Sequence, residues 1–407
     1  MIILSIETSC DETAVCIVEA KGELDSPSFN VLGNALFSQV ELHKEFGGVF
    51  PTLAKREHAK NLIPLFEKVL KESNLISNSQ FLISKQNLDS KSVEIEKILE
   101  KEKGLFESFK NFLEDKDTPK IDVISVTNGP GLEPALWVGI SFAQALGKLW
   151  DIPVIGINHM EGHICSVLID RVDEFKILNL KFKNEPTQFP ALAVLISGGH
   201  TEIVKIENWG KYKVIGQTVD DAVGEAFDKA ARMMGLPYPG GPQISRLAEL
   251  ARTQNIQTTA KLPRPMIYSK NLNFSFSGLK TAVLYYIRDN FEGKSENMTE
   301  ENKADLAREF EESVLDVLKT KTKEALDETG AKTLIVAGGV IASQKIREVF
   351  EGLVKEYPEL KVKVPTKGLA TDNALMIAGA TYIKILINPK ILSSPQKIVA
   401  MGNLKLE

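Results

Sequence analysis

The chain opens on short apolar runs separated by polar turns. IILSIET predicts a strand, SCDE a turn and TAVCIVEA a second strand, giving a β-hairpin whose turn carries Thr8, Ser9, Asp11 and Glu12. NVLGNALFSQ predicts a further extended segment, and residues 52–72 a helix. IDVISVTNGPG (121–131) predicts a buried strand ending in a Gly-Pro-Gly turn, LWVGISFAQALGKLW a helix, and PVIGINH another strand. The order then returns. ALAVLIS and TEIVKI flank a GGH turn, YKVIGQT is extended, DDAVGEAFDKAARMMG is helical, and TLIVAGG is a buried strand with a glycine turn before a helix near 342–354.

Both halves therefore run hairpin, third strand, helix, strand, glycine turn, helix, with the repeat in pattern rather than in letters. This predicts an α/β fold of two duplicated lobes facing each other across a cleft, where hairpin and glycine turns could converge on a ligand. The expected division is 1–155 plus 376–407 for the N-terminal lobe and 156–375 for the C-terminal lobe. Residues 77–118 stand apart as a polar insertion. In it Ile95, Ile98, Leu99, Leu105, Phe106, Phe109, Phe112 and Leu113 fall at helical spacing, which predicts helices packed on the first lobe. Its lysines and acids nearly cancel, so it is not a basic arm.

Composition narrows the class without choosing a chemistry. At 407 residues, 43% hydrophobic and 25% charged, the chain resembles an ordinary soluble protein that buries a large core. No apolar run approaches the roughly 20 residues that span a bilayer, and the opening residues lack a basic n-region. A cytoplasmic location with no membrane attachment is expected. Cys10, Cys16 and Cys165 show no metal or redox spacing and are expected to be reduced. A net charge of −5 argues against a broad, autonomous nucleic-acid binder, while leaving room for a local basic groove or for help from a partner.

Chemistry concentrates in a few stretches. NHMEGH (158–163) places two of the five histidines, His159 and His163, four residues apart. On a helix they share a face and can share a metal. Glu161, two residues from each, points to the other side, so it cannot activate a metal-bound water as the glutamate of H-E-x-x-H does. A bare pair is equally consistent with two satisfied or exposed histidines. ATDNALMIAGA opens a helix with Thr371 as a plausible cap and Asp372 in its first turn. Alone, Asp372 is a capping residue; with the histidines it makes a two-His, one-carboxylate set that suits Fe(II) or Zn(II). Glycines in LISGGHT, PYPGGP and AGGV let backbone N–H groups approach a phosphate or base. Asp228 could accept from ribose hydroxyls or pair with Lys229 or Arg232. Arg264 and Lys280 could meet nucleic-acid phosphate, whereas Phe274 and Phe276 belong in a core.

IETSCDET, GGVFPTLAKREH, NGPGL, NHMEGH, LISGGHT, DDAVGEAFDKAAR, YPGGP, FSFSGLKTA, AGGV and TDNALMIA occur together and in order. With them the chain resembles the TsaD family of tRNA N6-adenosine threonylcarbamoyltransferases, in its bacterial form, from residue 1 to about 385 apart from the insertion. The resemblance implies a two-lobed actin/Hsp70/sugar-kinase-like (ASKHA, ribonuclease H-like) fold. It implies transfer of a threonylcarbamoyl group from threonylcarbamoyl-adenylate to N6 of adenosine at tRNA position 37, with release of AMP. It implies TsaB-like and TsaE-like protein partners. It also implies His159, His163 and Asp372 as metal ligands, and Leu195, Ile196, Ser197, Gly198, Gly199, Asp228 and Gly241 as adenylate contacts. Asp11 and Glu12 match acids near the reacting end, and Asp11 is the expected general base. Ser343 stands where the family usually has an asparagine, so any adenylate contact there is shorter and loses an amide pair. The competing functions are a metalloprotease and a small-molecule kinase of the same fold. Glu161 argues against the first, and the histidine pair against the second.

Overall fold

The computed structural model describes residues 1–75, 85–113, 119–169, 186–394 and 397–406. The ends of the expected insertion, 77–84 and 114–118, and the side chain of Leu113 lie outside the described residues. In chain order the first elements are β1 (Ile2–Glu7), β2 (Glu12–Lys21), β3 (Ser28–Ser38), the single turn α1 (Val40–His43) and α2 (Pro51–Ser73). There follow α3 (Lys85–Leu99), α4 (Lys103–Leu113), β4 (Val123–Gly129), α5 (Glu133–Trp150), β5 (Val154–Asn158) and α6 (His159–Cys165). Next come β6 (Ala191–Ile196), β7 (Thr201–Asn208), β8 (Lys211–Gln217), α7 (Val223–Met233), α8 (Gly240–Thr253), α9 (Ser277–Phe291) and α10 (Glu300–Thr329). The last are β9 (Thr333–Ala337), α11 (Gln344–Glu351), β10 (Lys361–Lys363), the single turn α12 (Lys367–Ala370) and α13 (Ala374–Ile387).

The chain divides into two compact units: Met1–Glu41, Val49–Pro186 and Asp372–Leu406 in the first, and Leu42–Gly48 with Thr187–Thr371 in the second. Residues 156–169 group with the first unit, whereas the sequence places the division at 155. The reason is that β5 pairs in parallel with β4, and α6, which follows directly, packs on α13.

Each unit has a five-stranded sheet, ordered β3-β2-β1-β4-β5 in the first and β10-β9-β6-β7-β8 in the second. The two orders are the same topology. An antiparallel three-strand meander is followed by two strands added in parallel, with β1 beside β4 and β6 beside β9. The repeat legible in the sequence is thus a repeat of strand order. β1, β4 and β6 are apolar almost without interruption because helices cover the sheets. In the first unit Leu4, Ile6, Val15 and Ile17 pack with Leu62 and Phe66 of α2 and with Leu136 and Phe142 of α5. The insertion joins that same core through Ile95, Leu99, Leu105, Phe109 and Phe112. Lys55 closes it from α2 by pairing with the buried Glu102 at 2.9 Å.

Candidate metal centre and nucleotide pocket

In the first unit, the end of β5 turns directly into α6. Asn158 is the cap, its Oδ1 accepting from Met160 N at 2.8 Å and Glu161 N at 3.3 Å. One helical turn then sets the rings of His159 and His163 side by side, with centroids 4.7 Å apart. Gly162 lets α13 approach, since a Cβ there would lie 2.9 Å from Ile377 Cδ1. The cap of α13 is Asn373, which accepts from Met376 N at 2.9 Å, and not Thr371; Asp372 therefore stands just before the helix rather than in its first turn. From there its Oδ1 lies 3.3 Å from His159 Nε2 and 3.1 Å from His163 Nε2. One ligand atom from each of the three lies within 4.8 Å of the others. Glu161 is buried and is not one of the converging residues.

His163 is 0% exposed, and neither ring nitrogen makes a hydrogen bond. Its Nε2 faces the Asp372 oxygen without the alignment of a hydrogen bond, as two ligands of one ion do. A buried imidazole left this way is costly, and a divalent cation between the three side chains would satisfy it. The trio can hold a metal ion.

Sequence reasoning missed the residue behind the histidines. Glu7, 0% exposed at the end of β1, places Oε2 3.1 Å from His159 Nδ1. Ser9 N donates to Glu7 Oε1 at 2.6 Å, Thr127 Oγ1 donates to Oε2 at 2.5 Å, and Ser9 Oγ is itself 3.2 Å from His159 Nδ1. This carboxylate fixes the imidazole so that Nε2 faces Asp372. The signal was present: a glutamate inside an apolar strand is a buried charge that requires a partner.

The charges act together. Burial opposes the charge on His159, but Asp372 and Glu7 outweigh it and hold the imidazolium pKa well above its ordinary value. Burial likewise opposes the charge on both acids, yet His159 and His163 hold the Asp372 carboxyl, and His159 with Thr127 the Glu7 carboxyl, below the usual range. A cation held by the trio would compete with the proton that these carboxylates favour on His159.

The hairpin acids sit next to each other in sequence, and Glu12 lies within electrostatic reach of Asp372. Asp11 is buried in the turn, and Glu12 is the first residue of β2. Burial, then Asp11 and Asp372, push the Glu12 carboxyl well above its ordinary value. His58 of α2 anchors the turn. Its Nε2 donates to Cys10 O at 3.0 Å, and Thr13 Oγ1 bonds Nδ1 at 2.7 Å. Burial and the surrounding acids raise the Cys10 thiol well above its usual value, which favours the neutral thiol.

The second unit holds a cavity of about 490 Å³ lined by Gly198, Asp228, Gly241, Ser343 and Gly339 among others. Four of the expected adenylate contacts, Gly198, Asp228, Gly241 and Ser343, meet here. Leu195 and Ile196 do not: both are wholly buried inside β6, and Ser197 and Gly199 also fall outside the lining. PYPGGP forms the entry to α8, and Asp228 Oδ1 fixes it by accepting from Gly240 N at 2.7 Å. Lys229 pairs instead with Asp221 and Glu225, and Arg232 donates to Gly47 O. At the other wall, Gly338 has φ +102°, and a Cβ there would press to 2.6 Å from Ile196 O. This close approach opens the turn toward Gly339, whose Cβ direction is empty. Ser245 Oγ donates to Glu311 Oε1 at 2.8 Å and lies 3.4 Å from Ser343 Oγ. Ser245, Arg246 and Gln344 line the cavity as well; Ser245 and Arg246 were not legible, because α8 begins in a glycine-proline run that looks like a loop, and Gln344 opens α11 with no chemical signal of its own.

Comparison with known proteins fits this arrangement. The family model "TsaD: tRNA N6-adenosine threonylcarbamoyltransferase" matches residues 30–80 and 105–379, and the break falls inside the insertion. A tRNA N6-adenosine threonylcarbamoyltransferase of Herminiimonas arsenicoxydans is 40% identical over 389 residues, 96% of this chain and 93% of that protein. One of Paraburkholderia xenovorans is 39% identical over 385 residues, 95% of this chain and 92% of that protein. Among solved structures, full-length HypF superposes with a TM-score of 0.50 at 12% identity, covering 95% of this chain and 46% of that one. That likeness concerns the fold alone, and with the paired sheets it bears out the expected duplicated α/β class. With the family model and these relatives spanning nearly its whole length, the chain belongs to the TsaD family of tRNA N6-adenosine threonylcarbamoyltransferases.

Proposed function

We propose that this chain transfers the threonylcarbamoyl group of threonylcarbamoyl-adenylate to N6 of adenosine 37 in tRNA. The observation that carries this reading is the pairing of chemistries in one chain: a His159–His163–Asp372 trio backed by Glu7, and a glycine-walled cavity of nucleotide size. In the reaction N6 attacks the carbonyl carbon, the carbon–oxygen bond to phosphate breaks, AMP leaves, and N6 loses a proton.

His159, His163 and Asp372 would hold the metal, with Fe(II) favoured over Zn(II) by the two-His, one-carboxylate set. When bound, such an ion supplies Lewis acidity and open positions for donor oxygens. The chain's own residues do the rest. Glu7 and Ser9 hold His159 in one orientation. Gly198, Gly241 and Gly339 admit the adenylate, and the Ser245–Ser343 pair offers hydroxyls at its edge. Asp11 is the candidate base for the N6 proton, with Glu12, held toward its protonated form, beside it. Leu195, Ile196, Ser197 and Gly199 would serve by positioning Gly198. TsaB-like and TsaE-like proteins are the partners this reading implies, and the cytoplasm its location. No helix among the described residues is long and apolar enough to cross a membrane.

Reconstituted transfer onto tRNA with metal-stripped and metal-restored enzyme tests the proposal. Loss on stripping and recovery on restoring are expected; full transfer after complete stripping would remove the metal from the mechanism. An Asp11→Asn enzyme that folds and keeps the full rate would remove Asp11 as the base.

A further inference from the structure

The second unit segregates its charge. Residues 250–288 contain no Asp or Glu but include Arg252, Lys261, Arg264, Lys270, Lys280 and Arg288, in a chain whose net charge is −5. Residues 373–406 are also free of acids, but much of that stretch is the buried helix α13. Between α8 and α9, by contrast, residues 254–276 form a long strap with neither helix nor strand. Such loops are uncommon in compact domains and tend to carry function.

The strap is held rigid from below. Asp305 of α10 accepts from Thr259 N at 3.0 Å, Thr259 Oγ1 at 2.7 Å and Ala260 N at 3.0 Å. Glu309 accepts from Leu262 N at 2.9 Å, and Asp316 from Arg264 Nε at 2.9 Å. Lys321, wholly buried, donates to Ser269 O and Asn271 O, each at 2.8 Å. At the far end Asp220 accepts from Phe276 N at 2.8 Å and Ser277 N at 3.2 Å. The nearby acids are thus engaged in fixing the strap. Lys261, Lys270 and Lys280 make no ion pair among the described residues, and Lys261 and Lys270 are exposed. Two aromatic rings accompany them. Tyr268 is 93% exposed, and Tyr285 on the outer face of α9 lies under the Arg288 guanidinium at 4.5 Å.

We propose that the strap and the outer face of α9 form the docking surface for the tRNA substrate, with Lys261, Lys270 and Lys280 meeting phosphates and Tyr268 and Tyr285 stacking on unpaired bases. Charge complementarity selects the occupant. Unpaired cations beside exposed rings suit a single-stranded polyanion with stackable faces, whereas a protein surface would not need acids to be absent from the whole of 250–288; the first acid beyond it, Asp289, is paired by Arg288 at 2.7 Å. The identity of the RNA rests on the transfer reading above; the surface itself does not.

The test uses the full chain. Binding of the unmodified tRNA is measured across a salt series, with transfer measured in parallel. In the Lys261→Glu/Lys270→Glu/Lys280→Glu variant, affinity is expected to fall at least about tenfold and the salt slope to flatten by about 2–3. Tyr268→Ala is expected to lose about five- to tenfold with the slope unchanged. The matching triple Lys→Arg variant should bind as the parent does, and unchanged melting and AMP binding would show that the Glu variant is folded. Parent-like tRNA affinity and slope in the folded Glu variant overturn the proposal, as does loss of a protein partner with RNA binding intact. A parent protein that binds tRNA through these residues yet transfers nothing would overturn the transfer reading and leave the docking surface standing.

Discussion

The two units share a strand order but treat the same turn in opposite ways. In the second, the turn after β9 is kept open: Gly338 presses against Ile196, and Gly339 faces empty space on the cavity wall. In the first, the topologically matching turn after β4 is filled by the chain itself. Met401 N donates to Asn128 O at 2.9 Å, and Gly131 N donates to Gly402 O at 3.1 Å. A Cβ on Gly131 would lie 2.6 Å from Ser9 O, and one on Gly129 would run into the Met401 carbonyl. The glycines are alike in sequence. In one unit they border an open cavity, and in the other they admit the protein's own C-terminal segment. The hairpin turns diverge as well: Thr8–Asp11 is buried and acidic, while Ser197–His200 is closed by a local bond from His200 N to Ser197 Oγ at 3.0 Å. A duplicated scaffold thus keeps its sheet and varies its turns, so the candidate metal ligands and the glycine-walled cavity fall in different units.

That division can be broken from either side. Removing a ligand has the largest expected effect. His163→Ala should lower transfer by at least about 100-fold and abolish metal retention, since ligand loss exceeds the tenfold to 100-fold typical of outer-shell changes. AMP binding should be unaffected, and metal analysis with AMP titration on one sample decides it. From the other side, Gly339→Leu places a side chain in the open turn. Adenylate affinity is expected to fall about 10- to 100-fold with metal content intact. If metal content falls too, the units are not separable in this way.

Glu7→Gln is the next step down. It should weaken metal affinity by about tenfold or more, because the orienting carboxylate is lost. The same site predicts a pH dependence. The metal needs neutral His159, whose proton is held above its ordinary pKa near 6.5 by Asp372 and Glu7. Affinity should therefore fall as pH falls through the neutral range, approaching tenfold per unit, and in Glu7→Gln that decline should begin at lower pH. A competition titration with a chromogenic chelator between pH 6 and 8.5 measures both. The smallest effect belongs to Ser343→Ala: one hydroxyl at the cavity edge, about three- to tenfold in adenylate affinity. No change would place the nucleotide away from α11.

Much of the fold was legible because its strands are apolar runs of the right length and its glycine turns punctuate them. The helices α8 and α10 were not. α10 buries Asp305, Glu309, Glu311 and Lys321, so charged residues occupy its inner face and blur the 3.6-residue period. The histidine pair was legible from spacing alone, since four residues make one helical turn. Asp372 needed a tertiary contact that no local pattern carries: Gly162 admitting α13 beside α6. Glu7 was overlooked because the hairpin was read for its turn and not for the polar residue at the end of its strand. Leu195 and Ile196 came with a motif, and in the structure they support the turn from inside the sheet.

The placement of Asp372 and α13 has a consequence for biosynthesis. The second unit is complete once residue 371 has been made, although it begins after the first. The first unit, started at residue 1, waits for Asp372 and for the helix that covers β1 and β2. On the ribosome, where units fold as they emerge, the unit with the glycine-walled cavity can close first, and the unit with the histidine pair is finished later. A nascent chain holds both histidines for more than 200 residues of synthesis before the carboxylate arrives to complete the set. The candidate ligand set is in that sense completed late: a chain stopped before Asp372 carries the two histidines without their carboxylate.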